Sequence, residues 1–195
     1  MTTAYFLGDS VAGVSPYYPN VMSTRMGWTP TRDQIGGSGF LAGSAGQTYR
    51  ERLTDCIAAA PDVAVVQGSP NDVYWTNAAL AVEFALFFAE LRAGLPDAKI
   101  YAIAPWPKGA AGLGESKTVM GQYLQTAVQK FTIAGEYLDW TAWLTGTGYE
   151  GALAGDGNSD AYIGTDGVHP NAAGAAYLGT RLAFVISPPA TGLDF

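Results

Sequence analysis

The sequence predicts an α/β protein in which helices cover both faces of a five-stranded parallel sheet. Short apolar segments alternate along the chain with longer segments of helical periodicity. This alternation is typical of parallel sheets, whose strands are buried on both faces and joined by helical crossovers. Polar motifs follow the ends of several apolar segments. Because ligands bind at the carboxyl ends of the strands in such folds, these motifs indicate one functional edge.

Five segments have the composition of strands. The clearest covers residues 63–66, which are apolar on both faces, as a central parallel strand requires. The second segment contains Pro30, which lacks a backbone N–H and weakens the strand pattern. In chain order the predicted strands cover residues 2–7, 28–35, 63–66, 99–104 and 136–140.

Five helices are predicted between and after these strands. They cover residues 19–26, 48–60, 78–92, 116–133 and 171–186, the last one ended by Pro188 and Pro189. Asn77 is the predicted N-cap of the third helix. In the second helix the charged residues fall opposite the apolar ones, which predicts that they face solvent. These charged residues are Arg50, Glu51, Arg52 and Asp55. The glycine-rich segments 105–115 and 141–165 are predicted loops that set specificity.

The composition excludes several classes of function. The net charge is −7, with 10 Lys and Arg in 195 residues and no basic run, so the chain lacks the positive surface that nucleic acids or anionic membranes attract. One histidine and one cysteine, Cys56, allow neither the usual zinc site nor an internal disulfide. We therefore expect no metal and no cofactor.

The length and the apolar content predict a single domain over residues 1–195. No apolar segment reaches the ~20 residues that span a bilayer. The first residues lack the basic region of a signal peptide. We expect either a soluble protein or a domain excised from a larger secreted or virion protein, with the oligomeric state and the location left open.

His169 is the only histidine, and so the only side chain whose unperturbed charge changes between about pH 5 and 8. Asp166 precedes it by three residues. A tight turn can close this spacing, so that the carboxylate accepts a hydrogen bond from one ring nitrogen while the other nitrogen acts as a base. An oriented base of this kind is two-thirds of a nucleophilic triad. The predicted nucleophile is Ser10, which directly follows the first strand.

Attack by Ser10 on a carbonyl would create an oxyanion, which needs hydrogen-bond donors already in place. Three candidates lie at the same edge: the backbone N–H of Ser10, an N–H of the glycine cluster 36–39 and the side-chain amide of Asn71. Glycine allows the backbone to approach a substrate closely, and asparagine donates without carrying a charge.

Four sequence blocks in this order resemble the SGNH (GDSL-type) hydrolases over nearly the whole chain. They are Gly8-Asp9-Ser10, the glycine cluster 36–39, Asn71-Asp72 and Asp166-Gly167-Val168-His169-Pro170. The resemblance implies a three-layer α/β/α, flavodoxin-like fold with strand order 2-1-3-4-5. It also implies an esterase mechanism in which Ser10, Asp166 and His169 form the catalytic triad.

The same resemblance implies an oxyanion hole made by Ser10, Gly37 and Asn71, with Gly37 chosen from a cluster whose spacing also leaves Gly36 and Gly39 open. One departure concerns the turn before Asn71. The family's Gly-x-Asn-Asp pattern would have glycine where this chain has Ser69. The sequence therefore predicts that this turn differs from the family's.

The predicted function is hydrolysis of O-acyl esters by a serine esterase. Short-chain esters and carbohydrate O-acetyl groups are favoured, and lipase or thioesterase specificity stays open, so the expected partner is a small-molecule, carbohydrate or lipid ester. Aromatic residues predicted just after the strands are candidates for a substrate pocket. They are Tyr74, Trp75 and Trp106, with Trp143 as a further one.

Two other functions and one metal site are alternative interpretations of the sequence. A phosphate-handling protein would use Asp9 as acceptor, but the additional acids and the lysine such a site needs are not evident. A non-catalytic carbohydrate- or wall-binding domain of the same fold is the second. Residues 156–160 have the alternating oxygens of a calcium loop, but Ala161 and Gly167 replace its glycine and its final acid, which favours a solvated loop.

Overall fold

The structure is a computed structural model that describes residues 1–44, 46–107, 114–132, 135–152 and 157–187. Its strands are β1 (Thr3–Gly8), β2 (Thr29–Gln34), β3 (Val63–Gln67), β4 (Lys99–Ile103) and β5 (Glu136–Leu138). They form one parallel sheet in the order β2-β1-β3-β4-β5. This confirms the predicted fold class and strand order.

Helices cover both faces of the sheet. They are α1 (Tyr18–Met26), α2 (Leu53–Ala58), α3 (Asn77–Gly94), α4 (Gly114–Phe131), α5 (Ser159–Tyr162) and α6 (Ala172–Ile186). Helices α3 and α4 pack against each other on one face, and α1 and α6 pack together on the other. Among the described residues, no helix is long and apolar enough to cross a membrane.

Alternate residues of the strands point into two cores, one on each face of the sheet. Tyr5 and Val66 join the core beneath α3 and α4, which includes the three phenylalanines Phe84, Phe87 and Phe88 of α3. Phe6 and Val65 join the opposite core with residues of α1 and α6. The sheet is therefore packed on both faces, and the loops that follow each strand begin from fixed positions at its carboxyl edge.

Several local predictions were wrong at the helix ends. Residues 48–52 form turns, so α2 begins five residues later than predicted, and Arg52 is buried instead of facing solvent. The N-cap of α3 is Thr76, whose hydroxyl accepts the N–H of Ala79, and Asn77 is already helical. The loop predicted over residues 141–165 contains α5. The predicted helix end at residue 133 and the two prolines 188 and 189 lie outside the described residues.

Candidate active site

His169 lies between Ser10 and Asp166 at the carboxyl edge of the sheet. Its Nε2 is 2.8 Å from Ser10 Oγ, and its Nδ1 is 2.7 Å from Asp166 Oδ2. An ionised carboxylate can only accept hydrogen bonds, so Nδ1 carries the proton and Nε2 accepts from the serine hydroxyl. In this arrangement the imidazole can take the proton of Ser10 as its oxygen attacks a substrate.

Asp166 is held in place by the turn that leads to His169. Its Oδ1 accepts the backbone N–H groups of Val168 at 2.9 Å and His169 at 3.0 Å, and Gly167 between them has a positive φ of 70° that suits glycine. Burial, the largest single influence, raises the pKa of Asp166. The bonds from His169 and Val168 outweigh it and lower the pKa below its ordinary value. The carboxylate is therefore ionised and fixed in orientation.

Trp106 supports this turn from the interior of the protein. Its Nε1–H donates to the carbonyl oxygen of Val168 at 2.7 Å, and its ring packs edge-on against Trp140. The side chain is fully buried. The prediction that Trp106 lines a substrate pocket was therefore wrong, because the ring contacts the protein interior. Trp143, the further candidate, is also buried, beneath the guanidinium of Arg181.

A buried hydrogen-bond network fixes the turn that carries Ser10. The carboxylate of Asp9 accepts the backbone N–H of Val11 and the side-chain amide of Gln67, both at 2.8 Å, and the hydroxyl of Ser69 lies 2.7 Å away. Gln67 in turn accepts the hydroxyl of Tyr18 at 3.0 Å. Sequence reasoning missed Gln67 and Tyr18, although a polar residue at the end of a fully buried strand is a usable signal.

Asp9 has no access to a ligand. Its exposure is 0 %, and both of its oxygens are hydrogen-bonded. Burial raises the pKa of Asp9 above its ordinary value, while the bonds from Ser69, Val11 and Gln67 lower it. The phosphate-handling alternative is therefore wrong, because it needs an Asp9 oxygen that a phosphoryl group can reach.

The glycine cluster forms a turn beside Ser10. Ser38 N–H donates to the carbonyl oxygen of Ile35 at 3.2 Å, and Gly37 has a positive φ of 76°. A methyl group placed on Gly36 would lie 3.7 Å from Ser10 Cβ, so this turn faces the serine. Within the described residues, the backbone N–H groups of Ser10, Gly36 and Gly37 have no hydrogen-bond acceptor.

Gly39 does not share this property. Its N–H donates to the carbonyl oxygen of Ala42 at 2.8 Å, and a Cβ at this position would collide with the carboxylate of Asp72 at 2.6 Å. Of the three glycines that spacing left open, the geometry removes Gly39 and keeps Gly36 and Gly37.

Asn71 lies in the 3-10 turn Pro70–Tyr74 after β3. Its Nδ2 is 2.9 Å from the carbonyl oxygen of Ser38 and 3.1 Å from Ser69 Oγ. The amide therefore already has two acceptors in the protein, and a substrate oxyanion would compete with them for its hydrogens. The hydroxyl of Ser69, the residue that departs from the family pattern, is buried between Asp9, the Ser38 carbonyl and Asn71.

A family model described as the GDSL-like lipase/acylhydrolase family matches residues 3–177. The chain belongs to this family. It is therefore an acylhydrolase that acts on ester bonds. A search of curated protein sequences found no match.

Several solved structures share the fold of this GDSL-like acylhydrolase at low sequence identity. A lipase/acylhydrolase from Enterococcus faecalis is 16% identical with a TM-score of 0.71, covering 95% of each chain. The aryl esterase of M. smegmatis is 14% identical with a TM-score of 0.66, covering 95% of this chain and 98% of the other. A carbohydrate esterase family 2 enzyme from Corynascus thermopiles (Myceliophthora fergusii), with its carbohydrate binding domain, is 16% identical with a TM-score of 0.70. The match covers 95% of this chain and 65% of that enzyme, so the acylhydrolase spans about two thirds of its length.

Asp72 organises the segment that follows the glycine turn. Its carboxylate accepts three backbone N–H groups, from Phe40 at 2.8 Å and from Leu41 and Ala42 at 2.9 Å each. Burial raises the pKa of Asp72 to about 6, although these bonds lower it. The aspartate of the Asn71-Asp72 pair in this GDSL-like hydrolase is therefore structural, holding the segment after the glycines against the 3-10 turn that follows β3.

The remaining candidate residues differ in how accessible their side chains are to a ligand. Tyr74 and Trp75 are 82 % and 49 % exposed, so their rings are accessible to a ligand. Cys56 is buried, and burial raises the pKa of its thiol to about 12, which leaves it inert as a rival nucleophile. Residue 156 of the calcium-like segment lies outside the described residues. Among the residues that are described, no group of His, Cys, Asp and Glu side chains is arranged to hold a metal ion.

Proposed function

We propose that this chain is a serine esterase that hydrolyses O-acyl esters through an acyl-enzyme on Ser10. The observation that carries the proposal is the continuous hydrogen-bonded line from Ser10 Oγ through the His169 ring to Asp166, with distances of 2.8 and 2.7 Å. Serine is weakly nucleophilic at neutral pH unless an adjacent base takes its proton. His169 is the only histidine in the chain and is in contact with Ser10.

The proposed reaction has two halves. Ser10 Oγ attacks the acyl carbon while its proton passes to His169 Nε2, and Asp166 stabilises the imidazolium that forms. Collapse of the oxyanion breaks the bond to the alcohol, which leaves with the proton from His169. Water then attacks the acyl-enzyme, giving its proton to His169, and the carboxylic acid departs as Ser10 recovers its proton. The complete reaction consumes one water for each ester bond broken.

The oxyanion would be bound by the N–H groups at the mouth of the glycine turn. We assign the Ser10 and Gly37 N–H groups as donors, with Gly36 the neighbouring choice, because all three are unpaired within the described residues. Asn71 is the proposed third donor, provided that the oxyanion displaces Ser69 Oγ from one amide hydrogen. Donors aimed at the developing charge lower the barrier more than they aid substrate binding.

A short-chain acyl group on a carbohydrate is the proposed substrate class. Tyr74 and Trp75 lie three and four residues after Asn71, and their exposed rings provide flat surfaces of the kind that pack against sugar rings. The chain also shares its fold with carbohydrate esterases, one of them an acetyl xylan esterase from Butyrivibrio proteoclasticus at 12% identity and a TM-score of 0.68. The rate of acetate release from acetylated xylan, compared with the rate of fatty-acid release from a long-chain lipid ester, tests this assignment.

A serine-directed fluorophosphonate tests the nucleophile. We expect one equivalent of the reagent to abolish turnover of a chromogenic acetate ester, with the adduct mapped to Ser10 by peptide mass spectrometry. Reaction at another residue, with Ser10 unmodified in the inactivated protein, would overturn the assignment. A protein that neither reacts nor turns over esters would instead be a binding domain of the same fold.

Asn71→Ala tests the third oxyanion donor. We expect kcat to fall by roughly 10²–10³, or about 3–4 kcal/mol, with little change in KM, because an oxyanion donor acts mainly in the transition state. Steady-state rates on an acetate ester measure both constants. If KM rises and kcat is retained, Asn71 binds the ground-state substrate, and its amide stays committed to Ser38 and Ser69 during the reaction.

A further inference from the structure

Arg52 is a buried arginine that joins three segments at the carboxyl edge of the sheet. Its side chain is only 4 % exposed. One guanidinium nitrogen, Nη2, donates to the carbonyl oxygen of Gly8 at 3.2 Å and to Ser38 Oγ at 2.9 Å. Gly8 ends β1 two residues before the nucleophile, and Ser38 closes the glycine turn. A single nitrogen thus connects the strand that carries Ser10 to the turn that presents Gly36 and Gly37.

The other nitrogens anchor this connection. Nη1 donates to the Asp33 carboxylate at 2.5 Å and to the Asp33 carbonyl at 3.2 Å, and Nε donates to the carbonyl oxygen of Gln47 at 3.1 Å. Asp33 compensates the buried positive charge. The rigid plane of the guanidinium holds all of these acceptors at fixed relative positions.

Ser38 passes this positioning on to the proposed oxyanion donors. Its hydroxyl donates to Ile35 at 2.7 Å across the glycine turn, while accepting from Arg52. Its carbonyl oxygen accepts from the amide of Asn71 at 2.9 Å and is 2.7 Å from Ser69 Oγ. The glycine turn and Asn71 therefore share one anchor, which is Ser38, and Arg52 holds it.

We propose that Arg52 is a positioning residue for the oxyanion hole: its fork sets the distance between the Ser10 N–H and the N–H groups of the glycine turn. The inference rests on the proposed function of Ser10. Arg52 contacts no reacting atom and acts through Gly8 and Ser38. Transition-state stabilisation depends steeply on donor placement, and a displacement of about 1 Å can cost about 10² in rate.

The test is Arg52→Lys, because lysine keeps the charge beside Asp33 but cannot span Asp33, Gly8 and Ser38 together. We expect kcat on a chromogenic acetate ester to fall about 10²-fold, with KM changed less than about twofold. The matched control is Arg50→Lys, two residues away, where an accessible arginine pairs with Glu83 and Glu90. It should leave kcat unchanged.

Ser38→Ala supplies a second variant in case Arg52→Lys does not fold. It removes the hydroxyl that Arg52 contacts and leaves the Asp33 ion pair, and it should lower kcat with KM retained. The double variant should lose less than the product of the two single losses, because both variants remove the contact between Arg52 and Ser38 Oγ. A purely structural role would lower the unfolding midpoint while the folded fraction kept its kcat, and this result would overturn the proposal.

Failure of this inference is distinguishable from failure of the proposed function. If Ser10→Ala remains active, the serine mechanism itself is wrong. If Ser10→Ala is inactive while Arg52→Lys and Ser38→Ala keep their kcat, the mechanism stands and only the role of Arg52 is wrong.

Discussion

Ser10→Ala is expected to lower kcat on an acetate ester by about 10⁴–10⁶-fold, because without the hydroxyl no acyl-enzyme can form. The small remaining rate would come from substrate binding and from the oxyanion donors, which the substitution leaves in place. Initial rates of chromogenic ester hydrolysis measure the effect. The variant should fold normally, since among the described residues the Ser10 hydroxyl contacts only His169, and the turn is held by Asp9 instead.

Ser44→Ala is the matched control for Ser10→Ala. Ser44 is an exposed serine in the segment that follows the glycine cluster. Its replacement should leave kcat and KM unchanged. If Ser10→Ala kept more than about one hundredth of the activity, a residue other than Ser10 would attack the ester.

His169→Ala is expected to cost a similar factor, about 10⁴–10⁶ in kcat, because the chain has no second imidazole to take the serine proton. The fold should survive, since the side chain is one-third exposed and lies on a turn outside both cores. Circular dichroism and the unfolding midpoint check this, and ester hydrolysis measures the loss. Activity within about tenfold of the wild type would mean that Ser10 is activated by another base.

The pH dependence of the activity is an independent test of the role of His169. The imidazole must be neutral to accept a proton from Ser10, so activity should fall on the acid side of the pH profile. The pKa of Asp166 is lowered, so this carboxyl stays ionised as the pH falls through its ordinary value and adds no separate loss there.

Asp72 is the control for this profile. Burial raises its pKa to about 6, so it takes up a proton as the pH falls through that value. Asp72→Asn cannot titrate at this position, and the acid-side loss of activity should persist in it. If the loss disappeared in Asp72→Asn, protonation of the Asp72 carboxylate that holds residues 40–42 would be its cause.

The fold class was determined by patterns that are local in the chain. The apolar segments ending at Gly8 and before Gly68, and the helical periodicity between them, reflect strands buried on both faces, and the sheet confirms them. The order of the strands followed from the family blocks. Element ends were less predictable, because residues 48–52 have a helical pattern but form turns that carry Arg52 inward to its partners.

Ser10, Asp166 and His169 could be proposed from sequence because histidine occurs once, Asp166 stands three residues before it, and Ser10 falls at a strand end. With one histidine, the choice of base had no competitor. The turn from Asp166 to His169 is closed by hydrogen bonds within three residues, so local sequence was sufficient to predict it.

Only the tertiary structure decided the surroundings of these residues. Trp106 and Val168 are 62 positions apart in the chain, and Arg52 and Gly8 are 44 apart, so no local pattern records either contact. The amide of Asn71 reaches Ser38 across 33 positions. Residue type and spacing select the groups that can do the chemistry, whereas burial and long-range hydrogen bonds decide which of the remaining polar and aromatic groups hold them in place.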